Sequence, residues 1–428
     1  MVMPAPDAKA TQPPREPLAL TIEAMGAQGD GLAAGPVHVP LTLPGERVLA
    51  RVEGGRGEVI EILAASSDRV VPPCPHFGDC GGCALQHWAA EPYLAWKREA
   101  IAAALAREGI ETDFLAPFAA PPASRRRLAL HARRQGREVV LGLKARRSWR
   151  LVALQACTIA QPALVAALPA LRAIASPLLE HPTSAPTLHV TATDSGLDID
   201  VTGVARKGGA LSAGARARIA QAAATADVAR VTLAGETLYQ ARAPDVRLGR
   251  ATVALPPGAF LQAVPQAQAA MTALILEAAA GARAIADLYC GVGTFTFPLA
   301  GVAPVVAADA SAPAIAALKA AIASAPGLRG IRAEVRDLDR RPMLARELNA
   351  FDVVVFDPPR AGAQAQCAQL AASTVARAVG VSCNPATFAR DARVLADGGF
   401  RLTRVAPVDQ FLWSPHIELV GVFSRAGG

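Results

Sequence analysis

Between residues 17 and 66, short apolar runs at 18–24, 37–40, 47–52 and 58–63 alternate with polar positions. Gly26, Gly29, Gly31, Gly45, Gly54 and Gly55 punctuate them. A period of two marks half-buried strands. Strands this short and closely spaced predict a small β-barrel of the OB type, with a plain β-meander as the alternative. Residues 92–107 change to helical spacing, with Leu94, Ile101 and Leu105 on one face. Strand signals return at 128–132, 139–143, 151–154, 188–192, 197–201, 231–233 and 251–255, so 67–258 reads as a second, β-rich domain. From 259 to 428, apolar runs (284–288, 305–308, 331–335, 353–356, 378–381, 419–423) alternate with alanine-rich helical stretches. That alternation predicts a doubly wound, Rossmann-like α/β sheet, whose ligands bind at the C-terminal strand ends. The proline-rich residues 1–16 are expected to be a disordered tail.

Of the 428 residues, 52% are hydrophobic and 18% charged, which excludes a disordered or fibrous protein. The stretch 297–308 is too short for a membrane span and contains Gly301 and Pro304, and 1–17 lacks a signal-peptide core. A cytoplasmic protein is therefore expected. The net charge of +7 is unevenly spread, because 121–160 carries ten basic residues (Arg125, Arg126, Arg127, Arg133, Arg134, Arg137, Lys144, Arg146, Arg147, Arg150) against Glu138 alone. The rest of the chain is close to neutral. Such a concentrated segment suits a polyanionic partner. Seven cysteines, an odd number, point to thiol chemistry or metal ligation rather than a disulfide framework.

The run 284–288 leads into Asp287-Leu288-Tyr289-Cys290-Gly291-Val292-Gly293-Thr294-Phe295. Glycines let a backbone approach a ligand as the chain turns into a helix, and nicotinamide sites share this feature. Here Thr296 takes the third glycine position, and acids stand at Asp287, Asp309 and Asp337 on successive strands. That pattern resembles class I S-adenosylmethionine methyltransferases. Asp309 is placed for ribose hydroxyls and Asp337 for an adenine amino group. The next run ends Asp357-Pro358-Pro359-Arg360, a sequence that N-methyltransferases of exocyclic amines also carry.

The run 378–381 ends Ser382-Cys383-Asn384-Pro385. A thiol on the rim of the sheet suits a nucleophile better than an inert core cysteine. Uracil C5 attacks a sulfonium methyl only after a thiolate adds at C6 and places negative charge on C5. A base must then remove the C5 proton before the thiol can leave. A free thiol, pKa about 8.5, is little ionised at neutral pH, so activation of Cys383 by the local field is expected. Glu418 opens an apolar run, a costly place for an idle carboxylate, and is the candidate base. His416, two residues away, either orients Glu418, assists the proton transfer, or simply packs. The fourth-strand motif has no cysteine beside its prolines, which favours uracil over cytosine. Cys74, Cys80 and Cys83, bracketing Gly81-Gly82, join the distant Cys157 as four thiolates for an iron–sulfur cluster or a zinc ion, the latter with His76 or His87 as substitute ligands. Cys290 and Cys367 read as ordinary thiols.

Together these motifs closely resemble the RumA/TrmA family of RNA 5-methyluridine methyltransferases, over about 18–425. The resemblance implies a TRAM (OB-like) barrel at 17–66 and a β-rich central iron–sulfur and RNA-binding domain at 67–258. Its helical stretch at 92–118 would pack on a class I methyltransferase domain at 259–428. Also implied are Cys383 as nucleophile, Glu418 as base, and a [4Fe–4S] cluster on Cys74, Cys80, Cys83 and Cys157. S-adenosylmethionine contacts would come from Gln262, Tyr289, Thr294, Asp309, Asp337 and Asp357. The partner implied is RNA, from the branch acting on 23S ribosomal RNA; neither DNA nor a membrane is expected, and the protein is read as a monomer. Cys157 would tie the basic segment to the cysteine turn and so stiffen an RNA-docking surface. Two departures stand out: Phe260-Leu261-Gln262-Ala263-Val264 lacks the family's terminal Asn, and Leu412 replaces a usual proline. An RNA-binding or ribosome-assembly factor with a vestigial site is the competing reading, against which the intact Cys383, Glu418 and Asp309 count.

Overall fold

The computed structural model describes residues 16–205 and 211–425. The expected tail, 1–16, lies outside the described residues except for Glu16. Residues 18–64 form a closed five-stranded barrel around Ile22, Ala33, Val39, Val48 and Ala50. So small a core brings backbones close: a Cβ on Gly31 would lie 2.1 Å from Thr42 Oγ1. Seven strands between 127 and 240 make a central sheet, antiparallel except for one parallel pair, over a core that includes Leu130, Leu141, Leu188 and Ile219.

The C-terminal sheet is built from β1 (Ile285–Leu288), β2 (Val305–Asp309), β3 (Ile331–Val335), β4 (Val353–Phe356), β5 (Arg377–Ser382), β6 (Phe400–Asp409) and β7 (Glu418–Arg425). Their order is β3-β2-β1-β4-β5-β7-β6. The first five are parallel, and β7 runs antiparallel between β5 and β6. Every residue of β1 and β4 is buried, as in strands covered on both faces. The order reverses between β1 and β4, the crevice where such sheets bind ligands.

Helix Ala90–Arg107 packs on this sheet: Ile101, Ala104 and Leu105 share one core with Phe388, Leu402 and Phe423. It ends well before 118 because Gly109 turns to φ +66° and Ile110 N closes back onto Leu105 O. Two short strands, Asp113–Phe114 and Phe118–Ala119, then pair with β6. Among the described residues no helix is long and apolar enough to cross a membrane.

Candidate active site

After β1 the chain turns through Tyr289 at φ +59°, Gly291 at +55° and Gly293 at +97°. A Cβ on Gly293 would come within 2.7 Å of the Phe297 ring, so the turn is closed to larger residues. Asp309, ending β2, accepts from Gly291 N (2.9 Å) and Ser311 N (2.7 Å) and so pins the turn. Thr294 sits in the same turn, and the Tyr289 hydroxyl donates to Asp339 (3.1 Å). Asp337 lies two residues beyond β3 and holds its own loop through the amides of Asp339 and Arg340, both at 3.2 Å. Beneath the turn, Asp287 is buried and accepts from the Thr296 hydroxyl, which accounts for threonine at the third glycine position. Its other oxygen, Oδ1, has no partner among the described residues. Burial pushes Asp287 up to about 7. An orphaned acceptor under a glycine turn fits a ligand that brings a donor.

The reactive side is set by β5 and β7. Asn384 caps helix Pro385–Asp397 by accepting from Ala386 N (3.1 Å), and Cys383 lies between that cap and the strand end. Ser382 pairs with Leu419 across the two strands, so Cys383 and Glu418 are the next residues outward at adjoining strand ends, and the Glu418 charge reaches the thiol. A chain of side-chain amides runs beside them. Gln262 Nε2 donates to Asp357 Oδ2 (3.0 Å), and Gln410 Nε2 donates to Gln262 Oε1 (2.8 Å) and to Glu418 Oε2 (2.7 Å). Gln410 Oε1 accepts from Ala263 N (2.9 Å), which fixes its orientation.

These surroundings set the proton affinities. Burial pushes Glu418 up to about 7, opposed by the Gln410 hydrogen bond and the Arg360 charge. Burial and the charge of Glu418 raise Asp357 as well. Burial and Glu418 also raise the Cys383 thiol, against the charge and hydrogen bond of Arg360. The expected activation is thus absent from the resting site, because desolvation and two carboxylates outweigh one guanidinium. His416 is exposed and meets Phe411 edge-on at 6.1 Å, and Glu418 takes its hydrogen bond from Gln410 instead.

Gln410 and Arg360 are the two residues that sequence reasoning missed. Their signal was faint: a polar pair, Asp409-Gln410, after an apolar run, and a motif arginine without an assigned task. Gln262, expected at the cofactor, has both amide atoms engaged by Asp357 and Gln410. Val264, where the family carries Asn, starts helix Pro265–Ala278 without a side-chain cap and packs instead beside Ala267 and Met271.

A sequence profile described as tRNA (Uracil-5-)-methyltransferase matches residues 249–426. The 23S rRNA (uracil(1939)-C(5))-methyltransferase RlmD of Chromohalobacter salexigens is 34% identical over 432 residues, covering 95% of this chain and 89% of that protein. The chain belongs to the S-adenosylmethionine-dependent RNA uracil-5-methyltransferases. A protein of Caulobacter vibrioides named only as an uncharacterized RNA methyltransferase is 66% identical over 412 residues, 95% of this chain and 99% of its own. The crystal structure of Pyrococcus abyssi tRNA (uracil-54, C5)-methyltransferase in complex with S-adenosyl-L-homocysteine shares the fold, with a TM-score of 0.73 at 22% identity over 95% of this chain and 100% of that one.

In this methyltransferase Cys74, Cys80, Cys83 and Cys157 line one small cavity. Burial, with the neighbouring thiols adding to it, pushes Cys83 up to about 12. A Cβ on Gly81 would lie 2.8 Å from Lys144 O, so the wrap needs glycine there. His76 shares the cavity, but its Nε2 accepts from Gln155 N (3.2 Å), and His87 is not part of the lining. Among the described residues no three His, Cys, Asp or Glu gather tightly enough to hold a single metal ion. Cys290 and Cys367 are buried elsewhere.

The cysteine turn also grips the loop before Glu418. Ala84 N and Leu85 N both donate to Trp413 O, at 2.8 and 3.0 Å. Trp413 N donates to the Tyr93 hydroxyl (2.8 Å), which donates to Asp409 (2.6 Å), and Lys97 meets Asp409 at 2.5 Å with both side chains buried. The basic segment is less free than its charge count suggests. Arg126 is buried, donating to Gln262 O (2.9 Å) and Gln268 Oε1 (2.7 Å), and Arg127 donates to Leu261 O (2.7 Å). Arg146 and Arg147 pair with the buried Asp30 of the barrel at 2.7 and 2.8 Å. Four of the ten expected docking cations, Arg126, Arg127, Arg146 and Arg147, therefore hold the molecule together, whereas Arg134, Arg137 and Arg150 are exposed and Arg133 and Lys144 half-buried.

Proposed function

We propose that this methyltransferase methylates C5 of a uridine in 23S ribosomal RNA, with Cys383 as the nucleophile and Glu418 as the base. The observation that carries the reading is the register of β5 and β7, which sets a thiol and a carboxylate at adjoining strand ends. Cys383 adds at C6 of the uracil, and the displaced π electrons make C5 nucleophilic. The thiol proton passes to bulk water, and Arg360 stabilises the sulfur anion left behind. S-adenosylmethionine, when bound, supplies the electrophilic methyl. Glu418 then takes the C5 proton, the C5–C6 double bond re-forms, and the C6–S bond breaks to return the thiolate. Residues that would hold S-adenosylmethionine are Tyr289, Thr294, Asp309 and Asp337 along the strand ends, Asp357 at the reacting edge, and Gln262 as the amide that steadies Asp357.

Four thiols lining one cavity, and Gly81 wrapped too close to Lys144 O to carry a Cβ, fit a [4Fe–4S] cluster that Cys74, Cys80, Cys83 and Cys157 would hold, with zinc as the alternative. Held by four cysteines, such a cluster would have no open iron and would serve a structural role. Domains at 17–66, 67–258 and 259–428 remain the reading from the sequence, although residues 90–119 pack on the C-terminal sheet and Val246, Leu248, Ala251 and Val253 share a core with Val292, Phe297 and Leu318. Support for 23S RNA comes from RlmD, matched along 89% of its length. A tRNA uridine is the second reading, favoured by the description of the matching profile.

Incubation with labelled S-adenosylmethionine and unmodified 23S or tRNA transcripts tests both. Label at C5 of a 23S uridine is expected. Label in tRNA alone would move the substrate, and label only on an exocyclic amine would remove the thiol mechanism.

A further inference from the structure

A cleft of about 570 Å³ opens where the barrel, the cysteine turn, the loop after Lys144 and the segment Ser414–Pro415–His416 meet. That volume lies in the range of small-ligand sites, roughly 300–1,000 Å³. Trp149 stands on its wall with 81% of its surface exposed, a large apolar side chain left in water. Lys144 Nζ sits 3.8 Å from the centre of the Trp149 ring and covers one face of the indole. Among the described residues Lys144 has no ion-pair partner.

The loop bearing Trp149 is firmly built. Arg146 and Arg147 are anchored on buried Asp30, Arg150 meets Asp79 at 3.0 Å, and Ala145 N donates to Arg150 O (2.8 Å). The indole is held out by this frame. His416, also in the lining, precedes Glu418 by two residues. The cleft therefore shares one wall, His416, with the loop that leads into Glu418. An exposed indole with a cation over one face, in a basic cleft, leaves its other face for a stacked base with the phosphate near the cation.

We propose that this cleft is a nucleotide subsite, taking an unpaired base of the substrate RNA near the target uridine, stacked on Trp149 with its phosphate toward Lys144. The proposal rests on RNA being the substrate and not on which RNA it is. The test compares full-length wild type with Trp149→Ala, Trp149→Phe and Lys144→Ala, on whichever unmodified transcript, 23S or tRNA, the wild type methylates. Trp149→Ala should raise the RNA KM about tenfold or more, the loss expected of one base–aromatic stack, with kcat and the melting curve unchanged. Trp149→Phe should recover most of the binding. Lys144→Ala should reduce the log–log salt slope of RNA binding by about one, whereas Trp149→Ala should leave it intact. An unchanged KM for Trp149→Ala, or a fall in kcat alone, overturns the subsite. If neither transcript is methylated, the 23S reading fails separately. Binding of a single-stranded RNA oligonucleotide then decides, with about tenfold weakening by Trp149→Ala supporting the subsite and equal binding refuting it.

Discussion

Glu418 is poised between two demands: burial raises it to about 7, and Gln410 restrains that rise by donating to it. A base must be ionised to work, so decay of the covalent RNA adduct in single turnovers should speed up as pH rises through about 7. Gln410→Leu deletes a donor to the charged form. The Glu418 pKa should then climb further, and the same limb should move to higher pH. Glu418→Gln should stop decay by about a hundredfold or more and leave an RNA adduct visible on denaturing gels. Cys383→Ala should form no adduct at all. Chemistry-bearing residues at strand ends were legible in the sequence because each borders its own apolar run, Asp309 and Cys383 after one and Glu418 before one. Gln410 was not, because its role depends on Gln262, 148 positions away, and on Ala263, which only folding brings near.

At the level of elements, helix Ala90–Arg107 is bolted to the end of β6 by Lys97, Tyr93 and Asp409, all buried. Burial lowers Lys97 to about 8, while Asp409 works to keep it charged. Lys97→Met strands a buried carboxylate and should cost about 3–5 kcal/mol in denaturant unfolding. Lys97→Met combined with Asp409→Leu should recover much of that loss, since a buried pair replaced by apolar groups is often neutral. Strand β6 itself gave little warning in the sequence. Pro407 interrupts its run, and a proline inside a strand demotes the reading to an edge or a loop. Here β6 pairs β7 on one side and only two short strands on the other, a place where one missing N–H is tolerated.

Across the whole molecule, the ten cations between 121 and 160 divide into braces and contacts. Arg137→Ala removes an exposed charge and should lower RNA affinity uniformly, with about one unit less log–log salt slope. Arg126→Ala removes a buried brace beneath Gln262 and should instead lower the melting temperature and the methylation rate, with the salt slope unchanged. Anaerobically prepared protein should show broad visible absorbance that fades on oxidation, and Cys157→Ser should abolish it. The charge count was legible from composition, but the division was not, because Asp30 lies more than a hundred positions from the arginines it holds.

Trp413 O receives Ala84 and Leu85, and Asp409 receives Tyr93 and Lys97, so the loop before Glu418 is stitched to segments more than three hundred positions away in the chain. A ribosome making this protein releases the cysteine turn long before its counterpart exists. The nascent chain must keep that turn in waiting until residues 409–425 emerge, and a product cut short before β7 would carry a complete barrel and central sheet yet no catalytic centre.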